Sequence, residues 1–137
     1  THHKKAVRAM ALSPYSEGDD YSLVTAGADR VRRFGLPEGV LIQSLESPRV
    51  EQAETIVNCL AVNQDGVLFA GGDDGSLAWY DWQSGRAFQR QATIPQPGSL
   101  EMETGIFAAC FDRTGMRLFT AEMDKTIKVW AEQTAVE

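Results

Sequence analysis

The chain has 137 residues, 43% of them hydrophobic, with three Trp, three Tyr and six Phe, enough core material to exclude a disordered or collagen-like chain. Its net charge is −6, with six Lys/Arg against five Asp/Glu over residues 1–45 and seven against fourteen over residues 46–137. That acidic balance argues against a surface that tracks phosphates, so direct RNA contact is possible but not supported by charge. No apolar run approaches the ~18 residues of a membrane helix, and no membrane association is expected.

The first apolar segment, Val7 to Leu12, is followed by the loop SPYSEGDDYS and a second segment, Ser22 to Gly27. A short loop holding Asp29 leads to a third, Val31 to Leu36, and the turn Pro37-Glu38-Gly39 leads to a fourth, Val40 to Leu45. The same order returns with Val57 to Val62, the turn NQDG, Val67 to Gly71, Asp74, Ser76 to Asp81 and Ala87 to Gln91. It returns again with Ile106 to Phe111, the turn DRTG, Arg117 to Ala121, Asp124 and Thr126 to Trp130. The three aspartates are 45 and 50 residues apart, at or slightly above the roughly 40–45-residue period of a four-stranded propeller blade. The expected fold is therefore all-β, about three propeller blades forming part of a larger ring. Its blades span 1–46, 55–92 and 105–137, the last lacking its outer strand, with inter-blade loops at 47–54 and 93–104.

The first segments are nearly continuous apolar runs, the pattern of strands covered on both faces at the inner end of each blade. Beginning at an inner strand and stopping before an outer one, the chain reads as an arc whose flanks need the remaining blades of the same propeller.

The units resemble WD40 repeats. In that family a His before the first strand, a Ser or Thr in the second, the Asp, and a Trp ending the third form a structural tetrad. The resemblance implies that role for His3, Thr25 and Asp29, with Phe34 in place of Trp; for Asp74 and Tyr80, with Ala70 in place of the hydroxyl; and for Thr120, Asp124 and Trp130, with no His. More narrowly, THHKKAVRAMAL, AVNQDGV, DGSLAWYDWQSG, QPGSLEMETGIFA and TAEMDKTIKVW are similar to the last blades of pleiotropic regulators, WD40 subunits of a complex that accompanies the spliceosome. That implies a seven-bladed, non-catalytic scaffold in the nucleus, binding other proteins of a splicing complex. The insertion from Tyr15 to Tyr21 and the stretch from Ser47 to Glu54 depart from the family pattern, and AEQTAVE after Trp130 does not resemble the basic tail that follows in the family.

The competing chemistries are weaker. Three aspartates, one per blade, lie too far apart for a calcium site, whose oxygen ligands gather within one loop. His2 and His3, adjacent on an extended chain, point to opposite sides, so no metal is expected. GGDDGS precedes a strand and offers no helix N-terminus to a phosphate; neither a nucleophilic triad nor a cofactor site is expected. Cys59 and Cys110, inside apolar runs, read as small buried hydrophobes in a reducing compartment. Trp79, Tyr80 and Trp82 read as core and inter-blade packing, and Arg30, Arg32 and Arg33 as a solvated strand edge.

In propellers the loops between blades and those carrying the aspartates crowd one rim of the channel. The repeat alignment places Arg8, Asn58 and Phe107 there, with Ala28, Asp73 and Met123, as the expected partner-binding residues. The alternative is a propeller with a ligand-binding or enzymatic role that shares only the architecture.

Overall fold

The computed structural model describes residues 2–14, 21–48, 55–99 and 104–132. The described residues form strands and turns, without a helix. The strands are β1 (Val7–Leu12), β2 (Ser22–Gly27), β3 (Val31–Gly35), β4 (Val40–Ser44), β5 (Val57–Val62), β6 (Val67–Gly72), β7 (Ser76–Asp81), β8 (Ala87–Ala92), β9 (Ile106–Phe111), β10 (Arg117–Glu122) and β11 (Ile127–Ala131). They make antiparallel sheets in the orders β1-β2-β3-β4, β5-β6-β7-β8 and β9-β10-β11, the three expected blades. Most of the Tyr15 to Tyr21 insertion, the loop after Pro48, Leu100 of the QPGSL linker and the tail beyond Glu132 lie outside the described residues.

Local chemistry sets the turns. Gly66 and Gly115, at φ 80° and 74°, take the left-handed conformation that NQDG and DRTG demand. Asn63 Oδ1 accepts from the N–H groups of Asp65 and Val67, and Asp112 Oδ1 from Thr114 Oγ1 and the N–H of Met116, so each loop is closed by the side chain that opens it. The last strand starts at Ile127, one residue later than expected, because the Thr126 N–H is held by Asp124 Oδ1 at 3.1 Å.

Strand alternation sorts each blade into two faces. Val24, Ala26 and Val31 of the first blade pack on Leu68, Ala70, Ala78 and Tyr80 of the second. Phe69 and Leu77, on the second blade's other face, pack with Ile106 and Leu118 of the third. Trp79 meets Trp130 edge-on, with ring centres 6.0 Å apart. Tyr80 turns the opposite way and donates its hydroxyl to Glu46 O at 2.6 Å. Burial pushes that phenol well above its ordinary pKa.

Three expectations are corrected. The inner strands β1 and β9 are not covered on both faces: Met10 (67% exposed) and Leu12 on β1, and Ala108 and Cys110 on β9, lie on faces with no blade against them among the described residues, as do Ile127 (76%) and Val129 on β11. Cys110 is exposed for the same reason, whereas Cys59 is buried, its thiol pushed up to about 12 by desolvation. Arg33 is not on a solvated edge. It is buried between the first two blades, donating to Ser22 Oγ and Trp82 O at 3.0 and 2.8 Å.

Candidate functional site

In the first blade His3 Nδ1 donates to Asp29 Oδ1 at 2.9 Å, and His3 Nε2 lies 2.6 Å from Thr25 Oγ1. Asp29 Oδ2 accepts from the Lys4 N–H and from Arg32 at 3.1 Å, and Arg32 also donates to the His2 carbonyl. Phe34 lies beside the imidazole, ring centres 6.3 Å apart, filling the Trp position without donating. Hydroxyl, imidazole and carboxylate thus stand in the order of a nucleophilic triad, on the three residues that the WD40 resemblance assigns to a structural tetrad. Thr25 is nevertheless buried beneath His3, and the same ladder position holds Ala70 in the second blade and Thr120 bonded to a carboxylate in the third. In the second and third blades the aspartate closes the turn before the third strand, Asp74 Oδ1 accepting from the Ser76 N–H and Asp124 Oδ1 from the Thr126 N–H.

The third blade, which lacks the His, builds a different network. Trp130 Nε1 donates to Thr120 Oγ1 at 3.0 Å, and Thr120 donates to Glu122 Oε2 at 2.7 Å. The Glu122 carboxylate is buried and meets Lys128 Nζ at 2.9 Å. Lys128 also reaches Asp124 Oδ2 at 3.3 Å, Thr93 Oγ1 at 2.8 Å and Ile94 O at 2.6 Å. Asp124 Oδ2 accepts from the Gln96 N–H at 2.9 Å, so the linker from the second blade is tied down on both sides. In the second blade Asp74 Oδ1 accepts from the Ser76 N–H at 3.0 Å.

Both outer aspartates are held ionised. Burial works against the charge on Asp29, but bonds from His3 and from the Lys4 and Arg30 N–H groups outweigh it and hold the carboxyl well below the usual range. Desolvation likewise opposes the charge on Asp124, yet Thr126, the Gln96 N–H and Lys128 lower its pKa to about 2. A folded-state pKa below the unfolded one adds stability that is complete above the unfolded value, 3.8, and is lost as pH falls through the folded value. The urea midpoint is therefore expected to drop steeply between about pH 4 and pH 2. The slope flattens in Asp124→Asn; an equal slope in that variant would remove Asp124 from the account.

The expected rim residues come together through a shared backbone feature. The register of β1 on β2 shifts between Val7 and Ala9, and that of β5 on β6 between Val57 and Cys59. On β10, Ala121 pairs with Ala108 but Glu122 pairs with Ile106. Arg8, Asn58 and Phe107 are thus the extra residues of three equivalent β-bulges, a device that re-aims a side chain out of the ladder. Arg8 Nε donates to Asn58 Oδ1 at 2.8 Å, and Asn58 Nδ2 donates to Asp73 Oδ1 at 2.9 Å and to Ile106 O at 3.0 Å. One asparagine therefore joins all three blades. Phe107 is 55% exposed; Met123 and Ala28 are half-buried, and neither joins this chain of bonds.

The model of the WD domain, G-beta repeat, matches residues 39–81 and 95–131, more than half of the chain. The chain belongs to the WD40 family. The first match begins at β4 and runs through β5 to β7, so a WD40 repeat starts on the outer strand of one blade and continues as the inner strands of the next. The chain is similar to protein pleiotropic regulator PRL2 of Arabidopsis thaliana, 53% identical over 132 residues, which are 96% of this chain and 26% of that protein. It is also similar to pleiotropic regulator 1 of Mus musculus, 46% identical over 95% of this chain and 24% of that protein. Pre-mRNA-splicing factor PRP46 of Saccharomyces cerevisiae is 47% identical over 76% of this chain and 22% of that protein. The chain spans about a quarter of the length of these WD40 homologues. Among solved structures, the WD40 repeats of RRP9 superpose with a TM-score of 0.77 at 18% identity, covering 96% of this chain and 37% of that one. U3-55K does so with a TM-score of 0.78 at 16% identity, over the same shares of the two chains. At those identities the likeness shows the WD40 fold alone.

Proposed function

We propose that this chain is part of a non-catalytic, nuclear scaffold that binds other proteins of a pre-mRNA splicing complex. Blades at 1–46, 55–92 and 105–137 form one arc of a seven-bladed ring, and the rim bearing Arg8, Asn58, Asp73 and Phe107, flanked by Ala28 and Met123, is the partner surface. The observation that carries this reading is the bulge repeated in all three blades, which presents Arg8, Asn58 and Phe107 at equivalent positions. Relatives named as pre-mRNA-splicing factors and pleiotropic regulators support the cellular role. The residue types on β1, β5 and β9, mostly Ala, Val, Leu, Met, Cys and Phe, favour binding over catalysis at the channel.

The test is affinity capture from nuclear extract with the wild-type chain and an Arg8→Glu/Asp73→Lys variant whose circular dichroism is unchanged. Recovery of splicing proteins is expected to fall by about tenfold, the loss of ~1.4 kcal/mol. Equal recovery by a folded variant would remove the rim from the reading.

A further inference from the structure

The rim divides by charge. The first blade's share carries Lys4, Lys5, Arg8 and Arg30, all exposed, and none of these side chains has a carboxylate partner among the described residues. Its acid, Asp29, is already engaged by His3, Arg32 and the Lys4 N–H, and the Lys4 bond places the lysine pair beside the Asp29 turn. The second blade's share carries exposed Asp73 and Asp74. The third adds Phe107, with Lys125 on its turn, while Glu122 and Asp124 are buried and paired with Lys128. A chain of net charge −6 thus gathers, at one sector of its rim, cations that have no carboxylate partner among the described residues.

Arg8 is the best-placed of them. Asn58 occupies its Nε, which fixes the guanidinium plane and leaves the two terminal nitrogens as a fork suited to one carboxylate. Phe107, 55% exposed, stands at the equivalent bulge position on β9, beyond Asn58, which bonds both Arg8 and the Ile106 carbonyl. We infer, building on the rim reading above, that the rim takes an acidic peptide segment: its carboxylates lie over Arg8, Lys4, Lys5 and Arg30, and an adjoining apolar side chain meets Phe107. A nucleic acid fits less well. Its phosphates would have to pass Asp73 and Asp74, and Phe107 offers one ring where a single-strand platform uses several.

The probes are a short fluorescein-labelled peptide alternating Glu with Leu, the same peptide with Gln for Glu, and an oligouridylate of equal length, each titrated by fluorescence anisotropy at low and physiological salt. The Glu peptide is expected to bind at least about tenfold more tightly than the Gln peptide. Arg8→Gln is expected to remove most of that difference, and Phe107→Ala to weaken both peptides. Equal binding of the Glu and Gln peptides, an Arg8→Gln chain that still distinguishes them, or preferred binding of the oligouridylate would each overturn the inference. If peptide binding ignores charge while capture of splicing proteins still depends on Arg8 and Asp73, the acidic specificity fails and the rim stands. If capture is also insensitive, the rim reading fails with it.

Discussion

Lys128→Met is expected to lower the unfolding free energy by about 3 kcal/mol, toward the lower end of what breaking a buried ion pair costs. The variant leaves the Glu122 carboxylate inside the blade interface with Thr120 and Thr93 as its remaining hydrogen-bond donors among the described residues. It also frees the linker at Thr93 and Ile94. The low end applies because the lysine side chain is 26% exposed, and water screens part of the interaction. Urea titration with Glu122→Gln/Lys128→Met beside the single variant separates charge from packing. The double variant should be the more stable of the two, since it buries no uncompensated charge. A single variant within ~0.5 kcal/mol of wild type would show that the network contributes nothing. Desolvation would depress the lysine pKa, but Glu122 and Asp124 raise it above the ordinary value. Its contribution is thus complete below the unfolded value, 10.5, and is lost only as pH rises beyond it.

Trp82→Ala is expected to cost about 3–5 kcal/mol, the range for truncating a buried large aromatic side chain. Trp82 is 2% exposed in the core between the first two blades. The guanidinium of Arg33 lies 5.3 Å from its ring centre and bonds to its carbonyl. Truncation therefore opens a cavity and strips one face from a buried cation. Trp82→Phe should cost much less, about 1–2 kcal/mol, because the indole N–H has no partner among the described residues and its loss leaves no bond unmade. Equal losses in the two variants would mean that the N–H has an acceptor after all. A double-mutant cycle with Arg33→Met should give a coupling of about 1–2 kcal/mol, the size of a desolvated cation–π contact.

The blades were legible because period-two alternation, Gly-bearing turns and a phased aspartate all point to one module. Thr25, His3 and Asp29 were legible only through the family pattern, since their three-way bonding joins residues up to 26 apart. The Glu122–Lys128 pair escaped notice, although the signal was present: Thr120 and Glu122 share a face by alternation, and Lys128 stands opposite Thr120 in the ladder. What the sequence does not show is that Thr93, from the preceding blade's linker, closes the same network. Arg33 was misplaced for a related reason. An arginine in a strand reads as surface until Trp82 and Ser22, 49 residues away and 11 residues away, are known to wait for it. Cys110 erred the other way, because an apolar run predicts burial only where a second blade covers it. The bulges at Arg8, Asn58 and Phe107 leave no mark in residue type, so the repeat alignment alone does not show how these side chains are aimed.

The central claim is that the bulge-bearing rim is where partners sit. Photo-crosslinking in nuclear extract tests it most directly, with a benzophenone side chain placed at Ala28 on the rim or at Phe88 on the outer strand β8. The account predicts adducts with splicing proteins from position 28 and few or none from position 88. Adducts from position 88 with none from position 28 would contradict it.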